Sequence, residues 1–272
     1  MEPQCGWRRH DQLNLRELRA APSSNVPVSA GPLDQPEGRN AAQRIRDHLA
    51  GVMRLRASAA ADAPLQRALL ALKAWQAARL ARTYADLHAS TRYSGATQFF
   101  LEELYGARDF SQRDMDIERI LPKLTRLLPE TALNTIAGAV ELDELSEQLD
   151  SRVAAAHGTG AVDEASYAAA YRTASTPEAR TRQIYLLNHI GHELDRLTRV
   201  PMLYATLKLM RGPARLAGLD GLQQFLEQGF MHCKNMQGVD EFLGTIVSRE
   251  TRVMQRLFAG AAAPFAGLTE TG

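Results

Sequence analysis

The chain has 272 residues, of which 45% are hydrophobic, and its 32 basic side chains nearly balance 31 acidic ones. A chain of this length can bury a sizeable core, and a net charge of +1 lacks the basic excess that is typical of nucleic-acid-binding proteins. Two cysteines are too few for a disulfide framework or a thiolate zinc cluster. No apolar run approaches the ~20 residues that cross a bilayer. We therefore expect a cytoplasmic protein that binds neither nucleic acid nor membranes.

The N-terminal residues differ in composition from the rest of the chain. The segment APSSNVPVSAGPLDQPEG, residues 21–38, holds four of the 12 prolines and shows no helical period. Such a segment buries too little apolar surface to offset its ordering entropy. Arg8 and Arg9 precede DQLNLREL instead of an apolar stretch, so neither a secretory nor a twin-arginine signal is expected. The sequence predicts a disordered leader over 1–38, an all-α helical domain over 39–265 and a flexible tail over 266–272.

Helix signals follow one another from residue 39 onward. Asp62 precedes Ala63-Pro64, and Thr176 precedes Pro177, which are N-cap and first-turn patterns. No alternating strand pattern of useful length occurs. The fold class is therefore all-α, a single-domain helical bundle of about eight to ten helices. Helices are predicted over 40–58, 63–91, 177–200, 202–211, 219–236 and 239–259.

Residues 131–156 carry two apolar stripes that lie on different faces of a helix. Leu133 and Val140 belong to one stripe, while Leu149 and Val153 belong to the other. One straight helix cannot bury both stripes against a single neighbour. We therefore predict a bend or break near 141–143, and a loop over 154–163.

The segment TQFFLEELYGARDFSQRDMDIERILP, residues 97–122, combines paired aromatic residues with a cluster of charges. On a helix, Phe100, Leu104 and Tyr105 share one broad face, and Phe99 lies on the far side of it, so the helix is expected to pack against two neighbours. Gly106 suits the left-handed position that ends many helices. Pro122 is expected to bend the helix that follows.

The acidic residues of this segment also have a local explanation. Ser111 is placed as an N-cap, and Asp114 can reach back to it as in a capping box. Phe110 and Met115 have the spacing of a hydrophobic staple. Asp109 has no comparable structural role. We interpret the segment as a helix junction, and a catalytic role for Asp109 or Asp114 is the alternative.

Three histidines and one glutamate are candidates for metal chemistry. NHIGHE places His189 and His192 at i, i+3 on a helix, with Glu193 next to the second, and helical bundles build metal sites from such pairs with ligands from facing helices. The alternative is a polar helix face beside Tyr185. His88 flanks an apolar stripe and is expected to be a hydrogen-bonded core residue.

Glu250 falls in the middle of the apolar stripe of its helix. A carboxylate left unpaired there would cost several kcal/mol or would take up a proton. It therefore needs a partner, either Arg249, another arginine, Lys73, a histidine or a metal. A structural Glu–Arg or Glu–Lys pair is the first interpretation, and a functional acid in a cavity is the second.

Three blocks of the sequence resemble an uncharacterised family of bacterial helical proteins. They are FFLEELYGARDFSQRD, LPKLTRLLP at 121–129, and LQQFLEQGFMHCKNMQGVDEFLGTIVSRE at 222–250. The family is marked by FFLxxLYG with an acidic DF segment and by FLxxGF…FLxxIxxRE. His232-Cys233 departs from its pattern. The resemblance spans roughly 40–265 and implies an all-α fold and cytoplasmic residence, with no assigned activity, cofactor or catalytic residue.

The motif residues are interpreted as structural. They are Phe99, Phe100, Leu104, Tyr105, Gly106, Asp109, Phe110, Ser111, Asp114, Arg249 and Glu250.

The sequence supports two hypotheses for function. Walker A, GxGxxG and GxSxG motifs are absent, as is a convincing Ser/His/Asp arrangement. We therefore favour a non-enzymatic interaction or regulatory module with an exposed apolar patch, acting as a homodimer or with a protein partner. The alternative is a metal- or haem-dependent helical-bundle enzyme, which requires His189, His192 or Glu250 to face one cavity. No cofactor is implied by a motif.

Overall fold

The computed structural model describes residues 40–104 and 110–268. Within these ranges the chain is helical and contains no strand, which confirms the all-α prediction. Eight of the helices there have 11 residues or more, and the others are single short turns. The leader over 1–38 lies outside the described residues, as do Tyr105, Gly106 and Asp109. None of the helices described is both long and apolar enough to cross a membrane.

The elements are α1 Ala41–Ala61, α2 Ala63–Thr83, α3 Ala85–Ala89, α4 Ser94–Phe99, a π-helical segment Phe100–Leu104, α5 Ser111–Leu127, α6 Glu130–His157, α7 Glu164–Ala174, α8 Pro177–Thr198, α9 Leu203–Leu209, α10 Arg211–Leu216, α11 Asp220–Asn235 and α12 Asp240–Phe258.

Helix α6 is the centre of the bundle and packs against α1, α2, α7 and α8. It is one uninterrupted helix of 28 residues, so the break predicted near 141–143 is absent. The two apolar stripes are buried against different neighbours. Leu133 and Ala137 pack with α1 and α5, while Val153 packs with α2, α7 and α12. A helix surrounded on several sides can bury two stripes along one uninterrupted length.

The helix boundaries follow the capping signals. Asp62 Oδ1 accepts a hydrogen bond from the Leu65 amide at 3.1 Å, and Thr176 Oγ1 accepts one from the Ala179 amide at 3.3 Å, so both predicted caps are confirmed. The long helix predicted to run to 91 stops at Thr83, and the short α3 follows it. α6 continues to His157, which shortens the predicted loop to 158–163.

Helix α12 completes the core. It packs against α7 and α8, and its buried residues Val253 and Leu257 join a cluster with Leu72 of α2 and Tyr167 of α7. Leu268, which falls within the predicted flexible tail, is buried in the same cluster. The packed chain therefore extends at least to Leu268. Between α2, α6, α7, α8 and α12 the side chains leave a space, which α5 borders at one end.

Candidate functional site

A cavity of about 230 Å³ lies between these helices. Its wall combines apolar side chains with four basic and five acidic ones. The three acids of α6 are spaced by four and three residues, so they share one face of that helix. The nine charged residues are Lys73 and Arg79 from α2, Arg113 and Asp114 from α5, Asp143, Glu147 and Asp150 from α6, Arg180 from α8 and Glu250 from α12.

Glu250 has the arginine partner that its position in an apolar stripe predicted. Arg79 donates to its two carboxylate oxygens at 2.6 and 3.1 Å, and the Tyr84 hydroxyl donates at 2.7 Å. Burial disfavours the charge on Arg79, but Glu250 outweighs this effect, so the pKa of Arg79 lies above its usual value. Arg249 instead binds Asp86 at 2.7 and 2.6 Å. Arg79, the partner of Glu250, is therefore 171 residues away from it along the chain.

Arg56 of α1 holds three of the cavity acids together. Its guanidinium bonds Asp114, Asp143 at 3.0 Å and Glu147 at 3.2 Å. Lys73 adds a contact to Glu147 at 2.6 Å. This cluster fixes the α5–α6 side of the cavity, because one cation serves carboxylates from both helices.

The structure corrects the capping role assigned to Asp114. α5 begins at Ser111, Phe110 takes the cap position, and its side chain makes no capping hydrogen bond to the residues that the structure describes. Asp114 is only 2% exposed and turns inward to Arg56. Its burial, assisted by Asp143, raises the pKa of Asp114 to about 6, although Arg56 acts in the opposite direction. An interior counter-charge attracts this carboxylate more strongly than the helix end does.

The predicted hydrophobic staple is also wrong. Met115 is 46% exposed, and the Phe110 ring instead faces the Arg113 guanidinium at 4.2 Å. Phe225 covers Arg113 at 4.7 Å. Burial lowers the pKa of Arg113, and this side chain makes its polar contact with the Glu103 carbonyl at 3.3 Å.

Several polar groups at the α2–α7 end of the cavity lack partners. Arg79 Nε is buried and has no hydrogen-bond partner among residues 40–104 and 110–268. Tyr167 and Tyr171 line the cavity and are 3% and 5% exposed, and their hydroxyls bond no other described residue. Arg180 lies over the Tyr171 ring at 4.4 Å. Asp150 accepts from Gln76 at 3.0 Å, and burial raises its pKa.

The histidines do not join this cavity. His189 stacks on Tyr185, and His192 bonds the Asn188 carbonyl at 2.9 Å and Asp240 at 3.2 Å. His88 is exposed, so the expectation that it belongs to the core is wrong. The convergence of histidines with Glu250 is therefore contradicted. Among the described residues, no three His, Cys, Asp or Glu side chains are arranged to hold a metal ion.

Glu193 forms an ion pair with Arg196 on the same helix.

The aromatic residues of the motif occupy two sides of one junction. Phe99 packs on α11 against Phe225 and His232, while Phe100 packs in the core against Tyr84. Phe100, Phe110, Asp114 and Glu250 line the cavity. The two motif blocks therefore meet there, although they are more than a hundred residues apart.

The sequence analysis did not identify four of the residues that line the cavity, namely Arg79, Asp150, Tyr167 and Tyr171. The signal available in the sequence was their regular spacing on helix faces.

A second feature is an exposed apolar surface around α9 and α10. Its members, hereafter the 200–216 face, are Val200, Met202, Leu209, Met210 and Leu216. Leu209 and Leu216 are 79% and 92% exposed, and α9 contributes no buried residue. Met202 has a left-handed backbone with φ of 65°, which is rare for a residue with a side chain.

Residues 55–264 match the family model described as Domain of unknown function (DUF8198). The match covers more than half of the chain, so the chain belongs to this family, and the resemblance noted in the sequence is confirmed. No curated protein matches the chain, and no solved structure matches it.

Proposed function

We propose that this member of the DUF8198 family is a non-enzymatic regulatory module that binds a small polar molecule in the charged cavity. One observation carries the proposal: Arg79 lines the cavity, and its buried Nε has no hydrogen-bond partner among residues 40–104 and 110–268. Buried polar groups in folded proteins are nearly always hydrogen-bonded. A network with a purely structural role would be expected to satisfy its own donors, whereas a binding site leaves some of them to the ligand.

The energetics of the cavity also favour a functional role. Buried ion pairs add little stability, because desolvation offsets much of the attraction between the charges. Nine charged side chains around one space are therefore a costly way to fill a helical bundle. The alternative of a metal- or haem-dependent enzyme called for His189, His192 or Glu250 to face one cavity, and of these three Glu250 lines it while the two histidines do not. Cytoplasmic residence stays a prediction.

The first test compares two tryptophan substitutions on α6. Ala139 lines the cavity and is itself exposed, so Ala139→Trp is expected to obstruct the cavity without disturbing the core. Ala155 is exposed on the same helix and does not line the cavity, so Ala155→Trp is the matched control. Small molecules released by denaturing each purified protein are measured by mass spectrometry.

We expect a molecule in stoichiometric amount from the wild type and from Ala155→Trp, and about tenfold less from Ala139→Trp. Equal recovery from the two variants would contradict the proposal, as would a wild-type protein that carries no small molecule and binds none from a cell extract.

We also propose that the protein forms a homodimer through the 200–216 face. Large exposed apolar residues that cluster along a short stretch of a folded chain are typical of an interaction surface, and Leu209 and Leu216 are 79% and 92% exposed. Light scattering after gel filtration tests this proposal. The double variant Leu209→Asp/Leu216→Asp is expected to reduce the mass from dimer to monomer. Leu70→Asp, at an exposed leucine of α2 outside this face, is the control and is expected to stay dimeric. A wild type that elutes as a monomer would refute self-association.

A further inference from the structure

We infer that the cavity binds an amphoteric molecule, with a carboxylate or similar oxyanion at the α2–α7 end and an ammonium group at the acidic face of α6. Amino acids are the simplest members of this class. This inference rests on the proposed function and specifies the ligand of the same cavity.

The α2–α7 end supplies donors for an oxyanion. Arg79 Nε–H can only donate, and a tyrosine hydroxyl can donate its proton. Tyr167 and Tyr171 lie one turn apart on α7, with ring centroids 5.7 Å apart. Phe265 contacts both the Arg79 guanidinium at 5.5 Å and the Tyr167 ring at 6.1 Å. The three unpartnered donors therefore belong to one neighbourhood.

Tyr171 and Arg180 determine the electrostatics of this end. Burial raises the pKa of Tyr171 well above its usual value, so its hydroxyl retains its proton at neutral pH. Arg180, stacked on the Tyr171 ring, directs its own hydrogen bonds to the neutral side chains of Ser175 and Gln183. Its positive charge has no carboxylate within ion-pair distance among the described residues. An incoming oxyanion would supply the missing negative charge.

The acidic face of α6 has the complementary chemistry. Asp150 lines the cavity, and the hydrogen bond it receives comes from the neutral Gln76 amide. Asp143 and Glu147 precede it on the same face of α6 and are held by Arg56. Lys73 and Arg180 offset part of the effect of burial on the pKa of Asp150 without forming an ion pair with it among the described residues, and such a carboxylate is unfavourable in the interior unless a further cation reaches it. A ligand ammonium at Asp150 would provide that cation.

The charge balance selects a ligand that carries both signs. The cavity wall has four basic and five acidic side chains, and Arg56 behind the wall adds a fifth positive charge. Because the two signs balance, a ligand with a net charge would introduce an uncompensated charge into the interior. A neutral polyol would bring no charge to Arg180 or to Asp150, neither of which has an ion-pair partner among the described residues. A zwitterion satisfies both conditions.

Matched ligands test this inference on the full chain. γ-Aminobutyrate carries both groups, whereas butyrate and butylamine each lack one of them. These three compounds, the α-amino acids and sorbitol are assayed by isothermal titration calorimetry and by the shift in melting temperature. We expect at least one amino acid to bind, and its deaminated and decarboxylated counterparts to bind at least about tenfold more weakly.

Three variants locate the two ends. Tyr171→Phe removes one donor and Asp150→Asn removes one negative charge, and each is expected to weaken amino-acid binding roughly threefold to tenfold. Tyr185→Phe is the control, because Tyr185 stacks on His189 outside the cavity. A variant that fails to fold is recognised by the loss of its melting transition. If Asp150→Asn fails in this way, Gln76→Leu replaces it, because this change removes the hydrogen bond to Asp150 and keeps the carboxylate.

The outcomes separate this inference from the proposed function. Binding of butyrate, butylamine or sorbitol as tight as that of the amino acids would overturn the amphoteric ligand, and so would a panel in which no amino acid binds. In either case the proposed function still holds if a molecule of another class is released from the wild type and not from Ala139→Trp. Equal recovery from the two tryptophan variants would refute both.

Discussion

The two halves of helix α6 face the same bundle interior with opposite chemistry. The first half buries Leu133 and Ala137 in a wholly apolar cluster with α1 and α5. The second half buries Val153 and Ala154 on one face, and its other face, one turn beyond Val140, points Asp143, Glu147 and Asp150 at the cavity. The same helical periodicity turns the residues of both halves towards the interior. The difference shows that the position of a residue on a helix face determines whether it is buried. The chemistry of the side chain then determines whether its burial stabilises the fold or forms a binding surface.

The largest expected effect comes from removing the cation of the acidic half. Arg56→Met leaves Asp114, Asp143 and Glu147 buried beside one another without their shared counter-charge. Breaking such a cluster from one side costs about 4 kcal/mol. Urea denaturation measures the loss. Arg54→Met, at an exposed arginine of the same helix, is the control. A loss below about 1 kcal/mol would mean that solvent reaches the cluster and that the two halves differ less than the structure indicates.

The apolar half is expected to respond through packing alone. Leu133 is 4% exposed, and Leu133→Ala should cost about 3 kcal/mol, through lost burial and the void left behind. The cost should be about the same at pH 5 and pH 7, because the described residues that pack with Leu133 in this cluster are apolar. Denaturation at the two pH values tests this point. A pH-dependent cost would show that the two halves are coupled.

The sequence predicted those features of the fold that depend on local spacing. The caps at Asp62 and Thr176 and the need of Glu250 for a partner follow from neighbouring residues. The identity of the partner of Glu250 could not be predicted in this way, because Arg79 comes from another helix, 171 residues away. A helical wheel shows which face is buried and says little about which helix will face it.

The acidic face of α6 could have been recognised from the sequence. On a helical wheel its three acids lie between the two apolar stripes, where burial on both sides is expected. Asp114 was assigned to a capping box because the spacing fits that motif. The attraction of Arg56, which is 58 residues away, prevailed over this local preference. Local motifs compete with tertiary partners that the sequence alone does not pair.

Asp114 gives the acidic half a pH dependence that the apolar half lacks. Its pKa is about 6 in the folded protein and 3.8 in the reference state. The folded state therefore holds this proton more tightly, so the contribution of Asp114 to stability grows as pH falls from about 6 towards 4 and is lost as pH rises through 6.

Between pH 7 and pH 5, the free energy of unfolding of the wild type, relative to that of Asp114→Asn, is expected to rise by about 1 kcal/mol. Denaturation curves at the two pH values give this difference. Asp62→Asn, at an exposed helix cap, is the control for a carboxylate outside the cluster. A fall in the wild-type value, relative to Asp114→Asn, would show that the Arg56 pair dominates and holds the pKa of Asp114 below its usual value.

The smallest effect on stability is expected at Asp150, the carboxylate of the acidic half that we propose to bind the ammonium group of the ligand. Asp150→Asn keeps a side chain of nearly the same shape, which can still accept from Gln76, and it removes a charge whose burial is unfavourable. The stability should therefore change by less than about 1 kcal/mol, in either direction. Leu149→Ala, one position earlier and 1% exposed, should cost about 3 kcal/mol. If Asp150→Asn lowered the free energy of unfolding as much as Leu149→Ala, the Asp150 carboxylate would have a structural role. The acidic half of α6 would then stabilise the bundle and would not form a binding surface.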